Sequence, residues 1–297
     1  MKVGIIGSGS WGKALATLVA EAGHLPQIGY QRKAPMGFQG SPNLAMVAKE
    51  SDILFFATPP AELRTAVQAA KLGPLNHVVI AARGLDPVHH QVLSKCIFEE
   101  SAAIRVGALA GPALASEIFN RRPIAMVVGS PYEEVGRRTQ IALHSSICRL
   151  YTSNDLLGVE LAAATVLPLS IAIGLADGLR LGTGAKGVIT TRGLRECTRL
   201  GVALNTSPHT FSGLAGMGDL VACGSLPSHP GFLAGQALAA HRTVDPSLVS
   251  EIEPIVLLAQ ALGVSLPLIK AILAMLKGEI QPRLAIDQLM RRSATTE

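Results

Sequence analysis

The sequence predicts two architectures in one chain: an open, doubly wound parallel α/β sheet over residues 1–153 and an all-helical part over residues 154–297. Three observations carry this reading. Short apolar runs alternate with helical patterns through the first half, the order that builds a parallel sheet with crossover helices. A glycine-rich turn, Gly7-Ser8-Gly9-Ser10-Trp11-Gly12, joins the first apolar run to the first helical one. Beyond Asp155 the periodicity is helical and strands all but vanish.

Taken in order, Lys2–Ile6 is a β-branched run and is predicted as the first strand. Residues 11–22 follow as a helix and 26–30 as a second strand. A Gly/Pro-rich stretch then leads to a short helix at 44–49. Residues 52–57 form a strand closed by Thr58-Pro59-Pro60, with a helix at 61–70 behind it. Residues 77–82 are a strand before Arg83-Gly84, 91–100 a helix, and 105–110 a strand before Gly111-Pro112. Residues 124–129 make one more strand. The boundary between the two parts is placed within 151–155. In the second half, residues 161–176 are apolar all round, which marks a central buried helix. Further helices are expected at 187–200, 231–240, 250–262 and 268–277, with a frayed tail at 293–297.

Composition narrows the function. Of 297 residues, 48% are hydrophobic and only 16% charged. Mean hydropathy is +0.38. Such a chain folds around large buried faces and is not disordered. Its two most apolar runs, 161–176 and 254–269, both contain proline and fall short of the ~20 residues a spanning helix needs. A soluble, cytoplasmic protein with no membrane span is expected. The net charge of +5 is scattered over pairs such as Arg121-Arg122 and Arg291-Arg292, with one Trp and three Tyr for base stacking. That argues against nucleic acid and for small anionic ligands. Cys96, Cys148, Cys197 and Cys223 form no CxxC pair and no zinc spacing, so no metal site is expected.

The glycine turn carries the first chemical signal. Placed between strand and helix, G-x-G-x-x-G lets the backbone approach a pyrophosphate while the helix N-terminus supplies N–H donors. Gly7, Gly9, Ser10, Trp11 and Gly12 are therefore expected to bind a dinucleotide. At the end of the second strand an acidic residue would mark NAD; here the run is Tyr30-Gln31-Arg32-Lys33. Arg32 and Lys33 suit a 2′-phosphate, so NADP(H) is expected to be preferred, with NAD(H) possible.

Several segments together resemble the bacterial NAD(P)-dependent glycerol-3-phosphate dehydrogenases. They are the GSGSWG turn at 7–12, Arg83-Gly84 where that family has KG, and GPALA at 111–115 where it has GPSFA. GVEL at 158–161, ADGL at 176–179, Ala185-Lys186, TRGL at 191–194 and GLAGMGDL at 213–220 follow in the family's order. The resemblance implies a Rossmann domain, a helical domain of the 6-phosphogluconate-dehydrogenase-like type, and a homodimer. It also implies reduction of dihydroxyacetone phosphate to sn-glycerol 3-phosphate, a small phosphorylated substrate. It adds Pro59, Arg83 and Ala115 to the cofactor set, and Arg83, Gly111, Ala113 and Asp219 to the substrate set.

The catalytic positions depart from the family. Its GVELGGALKN reads GVELAAATVL here, so the lysine that protonates the alkoxide falls on Val166 and the asparagine on Leu167. The family's substrate lysine becomes Arg83, which keeps the charge but is a poor proton donor. After Asp219 the threonine falls on Cys223, and the phosphate-binding Ser-Arg-Asn on His229, Pro230 and Gly231. Asp177, Lys186, Arg192 and Asp219 are kept. The expected catalytic set is thus Asp219, Arg83 and Lys186, with Cys223 and His229 facing the substrate. Losing a general acid typically costs about 10²–10⁴-fold in rate. Two alternatives stand beside the family reaction: an NADP-dependent reductase of a different small substrate, or an inactive nucleotide-binding homologue.

Overall fold

The computed structural model describes residues 1–290; the tail expected to fray lies outside the described residues. Within them, β1 (Lys2–Ile6), β2 (Leu25–Gly29), β3 (Gly40–Ser41), β4 (Ile53–Phe56), β5 (His77–Ile80), β6 (Arg105–Ala110), β7 (Ile124–Gly129) and β8 (Cys148–Ser153) form one sheet. Their order is β3-β2-β1-β4-β5-β6-β7-β8. The chain builds outward from β1 to one side and then returns to β4 on the other. The crevice between β1 and β4 is therefore the switch point where doubly wound sheets bind ligands.

Helices α1 (Ser10–Glu21), α2 (Leu44–Glu50), α3 (Pro60–Ala70), α4 (Leu93–Glu100), α5 (Ala115–Phe119) and α6 (Glu133–Leu143) accompany the strands. Every residue of β4 and β5 is buried, as a sheet covered on both faces requires. One pairing departs from the expected parallel sheet: β6 and β7 run antiparallel. Only residues 111–123 join them, and their one helix is the short α5, too little chain for a full crossover helix.

Two further elements, α6 and β8, were not anticipated from the pattern. β8 is an edge strand, yet its outer carbonyls are occupied: Ser145 N donates to Cys148 O (3.1 Å) and Gln140 Nε2 to Leu150 O (3.1 Å). That blunts the edge against pairing with another chain.

The second half contains α7 (Leu156–Gly178), α8 (Gly182–Val202), α9 (Pro208–Ser212), a π-helical turn (Leu214–Gly218), α10 (Asp219–Ser225), α11 (Pro230–Ala239), α12 (Ser247–Ala261), α13 (Pro267–Leu276) and α14 (Pro282–Met290). Asp155 caps α7 by accepting from Gly158 N (2.9 Å). α7 is long and apolar enough to cross a membrane, but 89% of its most apolar window is buried inside the fold. One core layer runs unbroken from the α2–α3–α4 face of the sheet into α7 and α13. The other lies under α1.

Two buried carboxylates pin helices across this core. Glu160 of α7 accepts from Ser94 N (2.8 Å) and Ser94 Oγ (2.5 Å) at the start of α4. Glu196 of α8 accepts from Leu268 N (2.8 Å) and Ile269 N (3.2 Å) at the start of α13. Both answer the unpaired N–H groups that open a helix. Burial lifts the Glu160 carboxyl to about 7, against the bonds from Ser94.

Candidate active site

A cleft of about 570 Å³ opens over the C-terminal ends of β1, β4, β5 and β6. Gly7, Gly9, Ser10 and Trp11 line one wall, and Thr58, Pro59, Arg83, Gly111, Ala113 and Ala115 the rest. The glycines do different work. Gly7 has φ +126°, and a Cβ there would lie 2.4 Å from Ala57 O. Gly12 does not line the cleft; a Cβ there would lie 1.9 Å from Gly7 O, so it lets helix and turn close together. A Cβ on Gly9 meets nothing within 4 Å. α1 begins without a side-chain cap or an acidic residue in its first turn. Its first amides therefore remain available to a ligand. Trp11 Nε1 donates to Ala81 O (2.8 Å), fastening this end of α1 to the end of β5.

Thr58 Oγ1 is buried in this cleft and has no hydrogen-bond partner among the described residues. Open amides, glycine clearance and an unanswered hydroxyl fit the pyrophosphate and sugar of a dinucleotide. Thr58 was not singled out from the sequence; its place directly after β4 and before Pro59 was the available signal.

At the rim, Gln31 and Arg32 line the cleft. The Arg32 side chain is 79% exposed and paired with Glu62 at 2.5 Å. Lys33 is exposed and does not line the cleft; its carbonyl accepts from Ser8 Oγ (2.7 Å).

Behind Arg83 stand Asp219, Cys223 and His229, distant in sequence, none of which itself lines the cleft. Arg83, on the loop after β5, donates through Nη2 to Asp219 Oδ1 (2.8 Å) and Gly111 O (3.3 Å). Asp219 opens α10 directly after the π turn, an irregularity common at functional sites. It is fully buried, and its Oδ2 has no partner among the described residues. Burial pushes this carboxyl above the usual carboxylate range, while the Arg83 charge pulls it back.

One helical turn on, Cys223 Sγ donates to Asp219 Oδ1 (3.4 Å). Burial pushes its thiol up to about 12, so it is a neutral donor and not a nucleophile. His229 caps α11, its Nδ1 accepting from Gly231 N (3.2 Å). Burial and the Arg83 charge push its imidazole down to about 4. Cys223 and His229 each have other partners and form no nucleophile–base pair.

Val166 is 3% exposed. It lies two turns before Ile173, whose Cδ1 is 2.7 Å from where a Cβ on Gly224 of α10 would sit. Residues i and i+7 share a helix face, so Val166 lies on the face of α7 turned to α10. Lys186 stands elsewhere. It bonds Asp177 Oδ1, whose Oδ2 accepts from Gln236 Nε2 (2.9 Å). This cluster ties α7, α8 and α11 together and lines no part of the cleft.

A buried anchor holds the Arg83 loop. Asp86 Oδ1 accepts from Val88 N (2.9 Å) and His89 N (3.2 Å), while Oδ2 accepts from Arg64 (2.9 Å). Arg64 also binds Glu99 and Glu100. Against the cost of its burial, Arg64 and the two amides hold the Asp86 carboxyl at about 2.

Comparison with known proteins gives the same picture. Family models for the N-terminus and the C-terminus of NAD-dependent glycerol-3-phosphate dehydrogenase match residues 30–136 and 155–287. A Streptomyces coelicolor protein named glycerol-3-phosphate dehydrogenase [NAD(P)+] is 34% identical over 100% of this chain and 98% of its own length. One of the same name from Ralstonia nicotianae is 33% identical over 100% and 99%. Among solved structures, a Coxiella burnetii glycerol-3-phosphate dehydrogenase shares the fold with a TM-score of 0.89 at 24% identity, covering 98% of this chain and 99% of that one. A Ralstonia eutropha ketopantoate reductase shares it more loosely, with a TM-score of 0.60 at 16% identity over 98% and 100%. With two family models along its length and relatives a third identical from end to end, the chain belongs to the NAD-dependent glycerol-3-phosphate dehydrogenase family.

Proposed function

We propose that the chain is an NAD(P)-dependent oxidoreductase interconverting dihydroxyacetone phosphate and sn-glycerol 3-phosphate. Residues 1–153 hold the cofactor and 154–297 complete the substrate site, in a cytoplasmic homodimer. The observation that carries this reading is Arg83, which lines the glycine-walled cleft and is paired behind it with the buried Asp219. When bound, the nicotinamide supplies the hydride for the carbonyl carbon. Gly7, Gly9, Ser10, Trp11 and Thr58 hold the pyrophosphate and sugar, with Arg32 at the 2′ position. Arg83 holds the carbonyl oxygen and its developing negative charge. Asp219 Oδ1 holds the Arg83 guanidinium in place, and with Val166 where the family has its lysine the proton for that oxygen comes from solvent water. Lys186, bonded to Asp177, braces the helical part behind the site.

A second reading has its own observation. Val166, Ala113 and Pro230 leave Arg83 the one cation we assign to the substrate end, and Asp219 already occupies it. That favours a substrate less anionic than a phosphate ester. Purified protein with NADPH and either dihydroxyacetone phosphate or dihydroxyacetone, followed by nicotinamide absorbance, tests both. Turnover of the phosphate ester at about 1–10³ s⁻¹ supports the first reading. Turnover of the uncharged ketone alone supports the second. NADPH binding without either turnover points to a nucleotide-binding homologue.

A further inference from the structure

Among the described residues that line the cleft, Glu62 is the one carboxylate, and Arg32 and Arg83 are the cations. Arg32 follows β2, and Glu62 sits in the first turn of α3, directly after β4. β2 and β4 flank β1 in the sheet. The bond from Arg32 Nη2 to Glu62 Oε1 (2.5 Å) therefore spans the end of β1, where the glycine turn leaves the strand. The two partners are unequally held. Pro59 and Pro60 fix the entry to α3, and Glu62 N donates to Pro59 O (2.9 Å). The Glu62 side chain is 30% exposed against 79% for Arg32. Arg32 takes only Oε1; Oε2 has no hydrogen bond among the described residues. A carboxylate oxygen thus stands open at the rim of the cleft, beside a strand end, Tyr30-Gln31-Arg32-Lys33, that has no acid of its own.

We propose that Glu62 sets the choice between NADH and NADPH. It takes the part of the acid missing from the end of β2: Oε2 accepts from the 2′-hydroxyl of the adenosine ribose of NADH while Oε1 keeps Arg32 aside. A 2′-phosphate cannot share that place with a carboxylate. It has to draw Arg32 away from Glu62, and it bears the repulsion of the carboxylate as well. An exposed ion pair holds its partner by a factor of about five at most, so the phosphate can win Arg32 and both cofactors are accepted. The proposal rests on the reading that the glycine-walled cleft holds the dinucleotide.

Glu62→Gln removes the charge and keeps an acceptor; Glu62→Ala removes both. Full-length wild type and the two variants are titrated with NADH and NADPH by nicotinamide fluorescence. Calorimetry with 5′-AMP and adenosine 2′,5′-bisphosphate repeats the 2′ comparison without the nicotinamide. The expected pattern is crossed. NADPH and the bisphosphate tighten about three- to tenfold in both variants, as Arg32 is released and the repulsion goes. NADH and 5′-AMP stay within about threefold of wild type in the glutamine variant and weaken about tenfold in the alanine variant, the scale of one hydrogen bond to a charged group. NADH binding that alanine leaves unchanged, or NADPH binding that neither variant tightens, would overturn the proposal alone. A shift seen with the nicotinamide cofactors and absent from the adenosine pair would place the effect away from the ribose and overturn it too. Wild type that binds neither NADH nor NADPH would overturn the reading of the cleft, and the proposal with it.

Discussion

Replacing Val166 by lysine restores the family's residue at the one position where a proton donor is missing, and the structure sets what should happen. Val166 is 3% exposed, on the α7 face turned to α10, the helix that Asp219 opens with a buried oxygen that has no partner among the described residues. Removing the valine forfeits about 1.5–3 kcal/mol of apolar burial. An unpaired ammonium there would cost about 3–5 kcal/mol more. The Asp219 oxygen, however, already carries a desolvation penalty of about 1–3 kcal/mol that a new Lys–Asp pair would relieve. Val166→Lys should therefore fold with a stability within about 2 kcal/mol of wild type. In an Asp219→Asn background the same lysine should cost about 4.5–8 kcal/mol, the lost burial and the unpaired ammonium together, because its partner is gone. Chemical denaturation of the four proteins of this cycle gives the coupling directly. With dihydroxyacetone phosphate and NADPH, kcat of Val166→Lys should rise about 10²-fold or more, the usual contribution of a general acid. Equal cost in both backgrounds would show that the lysine does not meet Asp219. A folded variant with no gain in kcat would refute the assignment of the missing acid.

The remaining predictions concern the cofactor wall and pH. Arg32→Ala should weaken NADPH about tenfold and NADH much less, by loss of one phosphate contact; equal weakening of both would remove Arg32 from the 2′ site. Glu62→Gln frees Arg32 from its 2.5 Å pair and should tighten NADPH in the same fluorescence titration. Gly9→Ala should keep Tm near wild type but weaken NADPH, because its methyl enters open cleft. Gly7→Ala should lower Tm, because its Cβ would lie 2.4 Å from Ala57 O at φ +126°. The Glu160 carboxyl is raised in the folded state from 4.5 to about 7. A raised pKa contributes stability below the unfolded value and loses it as pH rises through the folded one. Glu160 should thus erode stability between pH 4.5 and 7, by roughly 3 kcal/mol. Glu160→Gln should flatten that part of the Tm–pH curve; an unchanged slope would mean that another group sets it.

Much of the first half could be read locally. β1, β4 and β5 are near-continuous apolar runs, and the glycine turn after β1 has its meaning from a strand before and a helix after. The misses have identifiable causes. α6 (EEVGRRTQIAL) is too polar to stand out as a core helix, and β8 (CRLYTS) carries Arg149 and Tyr151 on its exposed face. The antiparallel return of β7 depends on how far residues 111–123 can reach, which no local pattern states. Of the two rim cations, Arg32 lines the cleft and Lys33 does not, since consecutive residues leaving a strand point apart.

The inner end of the site shows the division most clearly. Residue order was enough to bring out the dinucleotide wall, the helical second half and the absence of lysine at position 166, because each is written within a few neighbouring residues. That Arg83 meets Asp219 across 136 residues was decided by the packing of α10 and α7 against the sheet. So were the burial of the second oxygen of Asp219 without a partner among the described residues, the location of Lys186 beside Asp177 and the uncharged ring of His229. Protonation and pairing depend on burial and on charges brought in from distant segments, and these exist only once the chain has folded.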